Sequence, residues 1–190
     1  EAQPAQGSLV EAYLASRGLA VPDGAPIRFH PACPRGAVRW PAMMALMTDP
    51  LTGRPCGVHR TFLARDGSGK APGPLPAKMM LGNAGIIRLT PDEEVTAGLG
   101  IAEGIETALS VMQGFGWRPV WTATSAGAIR TFPILRGIEA LTVFADADGA
   151  GMEAATACCA RWQGAGREAR IVAPPAGADF NDLIRKGAAA

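Results

Sequence analysis

Asp146 and Asp148 stand one residue apart at the end of an apolar, β-prone run, Leu141-Thr142-Val143-Phe144-Ala145, with glycines following at 149 and 151. Two carboxylates released together at a strand end repel one another and resist desolvation, so they call for a cation. Hard oxygen donors favour Mg²⁺ or Mn²⁺ over zinc. A bare Asp-x-Asp is equally compatible with a solvated turn, so a second acid matters. Gly98-Leu99-Gly100-Ile101-Ala102 runs into Glu103-Gly104-Ile105-Glu106-Thr107, again an apolar run ending in a carboxylate. Adjacent parallel strands would bring the three acids to one point.

Both runs are apolar on both faces, the pattern of strands buried in a parallel sheet. Such sheets place their sites beyond the carboxyl ends of the strands. Ile105, Ala108, Leu109 and Met112 repeat at helical spacing, so a helix begins beside Glu103. Pro119 to Ala123 reads as a third strand and Glu168 to Ala173 as a fourth. After Asp148 a helix is expected to carry Met152, Ala155, Cys159 and Trp162 on its buried face, with Cys158-Cys159 as packing residues. Beyond the fourth strand lie Asp179 and Asp182. Asp179 also reads as a helix N-cap, because Leu183 and Ile184 follow at helical distance.

Glu103-Gly104 after one strand and Asp146-x-Asp148 after another resemble the Toprim domain of topoisomerases, bacterial-type primases and some nucleases. The stretch Ile101-Ala102-Glu103-Gly104-Ile105-Glu106-Thr107-Ala108-Leu109-Ser110 is most similar to Toprim primases of phages, plasmids and integrative elements. The resemblance implies that Asp146 and Asp148 hold Mg²⁺ or Mn²⁺. Glu103 would complete the coordination or act as base on an attacking 3′-hydroxyl. Asp179 and Asp182 would support a second ion, with Asn181 where many bacterial primases have an acid. A further departure is Thr107, which stands where those primases place a carboxylate. Glu106 substitutes for it only if the helix turns it towards the site. The small-residue loop Thr124-Ser125-Ala126-Gly127-Ala128 suits either close approach of a phosphate or template, or simple close packing.

The N-terminal half begins with a short helix through Leu9, Tyr13 and Leu14, capped at Arg17-Gly18, with Pro22 beyond. Tyr13 to Leu19 followed by Ile27-Arg28-Phe29-His30-Pro31 resembles the opening of a primase polymerase core. A hairpin is expected from Pro41–Met47 and Pro55–Leu63 across the turn at 48–54. In the resembled primases a similar hairpin carries an arginine, then a lysine ahead of a short apolar run; Arg60 and Lys78 match those places. With Lys70, which ends the loop 66–70, they are expected to hold triphosphate or template phosphates. Solvated charge is the plain alternative. His30-x-x-Cys33 and Cys56-x-x-His59 have zinc-like spacing. Residues three apart on one strand point to opposite faces, however, and Pro31 and Pro34 constrain the first pair. Core cysteines and hydrogen-bonded histidines are the expectation, with no zinc-binding domain in this chain.

At 190 residues and 48% hydrophobic content the chain has ample material for a core. No apolar run is long enough to span a membrane and no signal peptide is visible. Four irregularly spaced cysteines point to a reducing cytoplasm. The first residue is Glu rather than Met, as expected of a processed product or excised fragment. Net charge is +1, but residues 1–90 carry ten Lys/Arg against five Asp/Glu, and residues 91–190 eight against twelve. A basic half beside an acidic half suits a backbone-binding surface next to a metal centre, although chance surface variation also produces it.

The expected architecture is α/β. A basic α+β subdomain over residues 1–92 precedes a Toprim parallel sheet flanked by helices over 93–190, with the acidic linker Thr90–Glu94 between them. The resemblance implies a DNA primase-like nucleotidyltransferase that joins nucleoside triphosphates into short primers on single-stranded DNA. A replicative helicase, or helicase domain outside this chain, is the implied partner, and no membrane is involved. A Toprim nuclease using the same acids is one alternative. A single-strand-binding module that has lost catalysis, suggested by Thr107 and Asn181, is another. A topoisomerase is disfavoured, since the only tyrosine, Tyr13, lies in the N-terminal helix.

Overall fold

The computed structural model describes residues 1–187, so the last three residues of the expected second subdomain, 188–190, lie outside the described residues. Among the described residues the chain builds two sheets. The first is antiparallel, with β1 (Gln3–Pro4), β2 (Ile27–Arg35), β3 (Val38–Thr48), β4 (Pro55–Phe62) and β5 (Lys78–Gly82) in sequential order. Helix α1 (Leu9–Ser16) precedes β2 and is N-capped by Ser8, whose hydroxyl accepts the Val10 N–H at 3.1 Å. Gly18, at φ 71°, lets the chain leave that helix in a left-handed turn. Strand β2 was not legible as a strand because Pro31 and Pro34 interrupt it. A register shift between His30 and Cys33 absorbs Pro31, and Pro34 stays in register opposite Arg39.

The second sheet is wholly parallel, in the order β7-β6-β8-β9. Its strands are β6 (Gly98–Ala102), β7 (Val120–Thr122), β8 (Ala140–Phe144) and β9 (Glu168–Val172). They alternate with α2 (Ile105–Gly114), α3 (Ala126–Arg130), α4 (Gly149–Gly164) and α5 (Phe180–Gly187), the order expected of a parallel sheet flanked by helices. Ile105, Ala108, Leu109 and Met112 face the core, as their spacing requires. In α4 the buried face is Gly151, Ala154, Ala155, Cys158, Cys159 and Trp162. Met152 is 38% exposed instead, one position off the stripe that Trp162 and Cys158 define. No helix among the described residues is long and apolar enough to cross a membrane.

Two apolar cores flank the parallel sheet. One lies under α3 and α4 and centres on Ile101, Trp121, Val143 and Trp162. The other joins the two sheets: Val10, Tyr13, Leu14, Met43 and Met47 pack in one cluster with Ile105, Leu109, Val120, Phe144 and Phe180. The expected division at 92/93 falls within the 3₁₀ turn Asp92–Glu94, and apolar packing runs across it. Polar ties reinforce the junction. The Val120 N–H donates to Thr90 Oγ1 at 3.1 Å, the Trp121 indole N–H to the Thr90 carbonyl at 2.9 Å, and Ile87 bridges Thr122.

Candidate active site

Glu103 follows β6 directly and Asp146 lies two residues beyond β8. Those strands pair in parallel with Ala102 opposite Phe144, so both carboxylates leave the same end of the sheet. Both are partly buried. Burial raises the pKa of each, and negative charge on the neighbouring acids pushes the same way: Asp146 and Asp148 on Glu103, Asp148 and Asp179 on Asp146. The Glu103 backbone carbonyl accepts Thr122 Oγ1 at 2.8 Å. Thr107, at the place where a further acid is expected, donates its hydroxyl to Asp146 Oδ1 at 3.3 Å. Asp148 is exposed and N-caps α4, with Oδ1 accepting the Gly151 N–H at 2.7 Å. A Cβ on Gly151 would lie 2.7 Å from the Asp146 carbonyl, so only glycine permits this tight strand-to-helix turn.

Among the described residues no three His, Cys, Asp or Glu side chains are gathered closely enough to hold a metal ion as they stand. The donor chemistry of the first acid set nevertheless fits a hard divalent ion. Glu103 and Asp146 are carboxylates whose ionised forms destabilise one another, and Asp148 keeps one oxygen clear of its cap. Asp179 and Asp182, the acids expected at a second ion, each commit one carboxylate oxygen to the start of α5. Their carboxylates cap each other's backbone: the Asp182 N–H donates to Asp179 Oδ1 at 2.7 Å, and the Asp179 N–H to Asp182 Oδ2 at 3.2 Å. Arg17 adds an ion pair to Asp179 at 3.7 Å. Asn181 is buried and structural, donating from Nδ2 to the Arg17 carbonyl at 2.7 Å and to Ser110 Oγ at 3.4 Å.

The basic residues divide as well. Arg60 departs from its expected place as a phosphate clasp. It is buried, over the Phe62 ring, and its guanidinium donates to the carbonyls of Pro34 at 3.1 Å and Met80 at 3.2 Å. Arg35 is buried too and staples the 71–77 loop through the Pro72 and Leu75 carbonyls. These two account for part of the N-terminal charge excess without adding to a basic surface. Lys70 and Lys78 both reach Glu106, at 3.1 and 3.7 Å.

Glu106 is almost fully buried and also accepts the Tyr13 hydroxyl at 2.6 Å. Burial alone would raise its pKa, but Lys78, Lys70 and the Tyr13 hydrogen bond outweigh that and hold it at about 2. Burial, with help from Lys78, lowers the pKa of neighbouring His59 to about 4, so it is neutral at pH 7. Its Nδ1 has no partner among the described residues. Cys56 and His59 lie on β4, and the Cys56 thiol points to the Ala84 carbonyl at 3.8 Å. In β2, His30 Nδ1 accepts the Ala32 N–H at 3.1 Å. The loop at 124–128 forms the start of α3, with Ser125 as its N-cap and Thr124 at φ 68°.

Residues 98–190 match the family described as Toprim domain, and residues 1–87 match a domain of unknown function (DUF7146). No curated protein matches the chain. Among solved structures, the zinc-binding and RNA polymerase domains of the Aquifex aeolicus primase superpose with a TM-score of 0.68 at 15% identity, covering 97% of this chain and 54% of that one. The DnaG catalytic core gives 0.66 at 19% identity, over 96% and 71%. The primase fragment of the bacteriophage T7 primase-helicase gives 0.64 at 18%, over 92% and 69%. The chain thus spans about half the length of the Aquifex structure.

Proposed function

Taking as premise that this chain carries a Toprim domain and has the fold of a primase catalytic core, we propose that it is the polymerase core of a primer-synthesising nucleotidyltransferase. Its template is single-stranded DNA and its substrates are nucleoside triphosphates. The observation that carries the reading is the meeting of Glu103 and Asp146 at the ends of paired parallel strands, where each carries excess negative potential. Asp146, Asp148 and Glu103 would hold Mg²⁺ or Mn²⁺. The ion would polarise the phosphoryl group and neutralise the triphosphate.

Asp146 is oriented by the Thr107 hydroxyl, which leaves its second carboxylate oxygen free of protein donors among the described residues. Glu103 is the residue to take the proton from the attacking 3′-hydroxyl, since it is a half-buried carboxylate at the strand end paired with that of Asp146. Lys70 and Lys78 approach from the N-terminal sheet and would meet the triphosphate. The template backbone would be gripped through exposed basic residues, and hence salt-dependently. The division at 92/93, a cytoplasmic setting and a helicase partner outside this chain belong to the same reading.

The test is incubation with labelled nucleoside triphosphates, single-stranded DNA and Mg²⁺ or Mn²⁺. Metal-dependent incorporation into short products is expected. Degradation of the DNA without incorporation would replace this reading by a nuclease, and binding with neither would leave a module without catalysis.

A further inference from the structure

Glu106 stands one position before the place where the resembled primases carry an acid, and α2 directs its carboxylate into the junction of the two sheets, with Oε2 3.6 Å from where a Cβ at position 104 would be. There it meets three groups from the N-terminal half: the Tyr13 hydroxyl at 2.6 Å, Lys70 Nζ at 3.1 Å and Lys78 Nζ at 3.7 Å. The carboxylate's side chain is 8% exposed, whereas those of Lys70 and Lys78 are 34% and 43% exposed. The anion is therefore sealed, and the two cations lie between it and solvent. Two ammonium groups share one carboxylate, so one unit of positive charge is left over on the open side.

That open side adjoins the acid centre. Lys78 Nζ lies 3.6 Å from where a Cβ at position 104 would be, beside the residue that follows Glu103. Position 104 is glycine, and the lysine has room to stand there. Flexible lysines near uncompensated carboxylates would otherwise pair with them and compete with a cation for the same oxygens. A buried carboxylate held by a tyrosine hydroxyl prevents this by fixing both ammonium groups in advance.

We infer that Glu106, held by Tyr13, is a positioning residue that pre-sets Lys70 and Lys78 as a two-lysine receptor for the polyphosphate of the incoming nucleotide and keeps Lys78 off the metal-binding acids. This rests on the nucleotidyltransferase reading above. It gives Glu106 a part distinct from that of a metal ligand, and it gives the N-terminal helix a part in substrate binding although it lies outside the catalytic strand ends.

The experiment is a thermodynamic cycle on binding, read by calorimetry with a non-hydrolysable nucleoside triphosphate and Mn²⁺, for wild type, Glu106→Gln, Lys78→Ala and the double variant. Glutamine keeps the shape and can still accept the Tyr13 hydroxyl, but loses the charge. Removing a residue that orients binding groups costs about 10–100-fold, so Glu106→Gln is expected to weaken triphosphate binding by that order. In the Lys78→Ala background the same substitution should cost much less, because the residue it acts through is gone. A purely structural role would instead lower affinity equally in both backgrounds.

Wild-type affinity in Glu106→Gln, or fully additive effects, overturns the anchor and leaves the function reading intact. A wild-type protein that binds no triphosphate overturns both. Should Glu106→Gln fail to fold, Tyr13→Phe carries the test. It keeps every charge and releases only the carboxylate's orientation. A several-fold loss confined to the background with Lys78 present is expected, and unchanged affinity overturns the inference.

Discussion

Asp146 and Asp148 leave the parallel sheet after β8, Asp179 and Asp182 leave it after β9, and each pair opens a helix. The spacing separates their fates. Residues three apart at a helix start can cap each other's backbone, and Asp179 and Asp182 do so in both directions. Residues two apart cannot. Asp148 reaches the Gly151 N–H, while Asp146 is left outside the helix with one long hydrogen bond from Thr107 and with Glu103 close by. The i, i+3 pair commits one oxygen apiece to its helix, and so does Asp148; Asp146 commits none. Asp146 is therefore the acid of the four most available to an ion, while Asp148 shares the capping role of Asp179 and Asp182.

The sharpest way to break this comparison is Asp146→Asn. Activity should fall by ~10³-fold or more, several kcal/mol of lost charge stabilisation. The metal-free protein should melt at the same temperature or higher, because the Asp146 pKa is raised in the fold and its ionised form is destabilising at neutral pH. Primer synthesis and a melting curve check the two halves. Wild-type activity, or a large drop in melting temperature, would return Asp146 to the class of Asp179.

Glu103→Gln comes next and separates ligand from base. A lost base should cost on the order of 10²-fold upwards and resist added metal. A lost ligand should be partly rescued by Mn²⁺, which binds oxygen and nitrogen donors more tightly than Mg²⁺. Rates measured across a metal titration decide between them.

The other buried charges extend the comparison to stability. His59 has a folded pKa of about 4 against an ordinary 6.5, so the unfolded chain takes up its proton first. Stability is then complete above pH 6.5 and falls as pH drops towards 4, by roughly 3 kcal/mol at most. Glu106, held at about 2, adds a second loss as pH falls from 4.5 towards 2. Denaturant melts should show His59→Leu flattening the 6.5-to-4 limb alone; an unchanged limb would mean His59 is not the group titrating.

Arg60→Ala should cost about 2–3 kcal/mol, since it orphans the Pro34 and Met80 carbonyls and strips a cation from Phe62. The salt slope of DNA binding should not move. A shallower slope would restore Arg60 as a phosphate contact.

What the sequence made legible follows from local pattern. Runs apolar on both faces mark β6 and β8, and the acids at their ends follow from strand direction; β7 and β9 follow from the alternation of strand and helix. Strand β2 was hidden because its prolines contradict strand chemistry, and a register shift is a tertiary remedy. Arg35 and Arg60 count as surface charge in any sequence sum; only the assembled sheet shows that they point at backbone carbonyls. Glu106 was noticed as an acid but not as an anchor. Its tyrosine partner is 93 residues away, and nothing within α2 announces it.

The smallest effect tests the other half of the aspartate comparison. In Asp182→Ala the Asp179 N–H loses its carboxylate acceptor, while Asp179 still accepts the Asp182 N–H. Half of a reciprocal cap at an accessible helix start is worth about 1 kcal/mol. That loss should appear as a modest fall in denaturant midpoint at unchanged slope. Specific activity in Mg²⁺ should stay within about twofold of wild type, well under the tenfold that 1.4 kcal/mol of transition-state binding represents. The titration of rate against Mg²⁺ is the decisive reading. If Asp182 contributed to a second ion, its removal would shift the midpoint of that curve and make it less steep. A superimposable curve means that the i, i+3 pair spends its charge on the helix, leaving Asp146, Asp148 and Glu103 to answer for the metal.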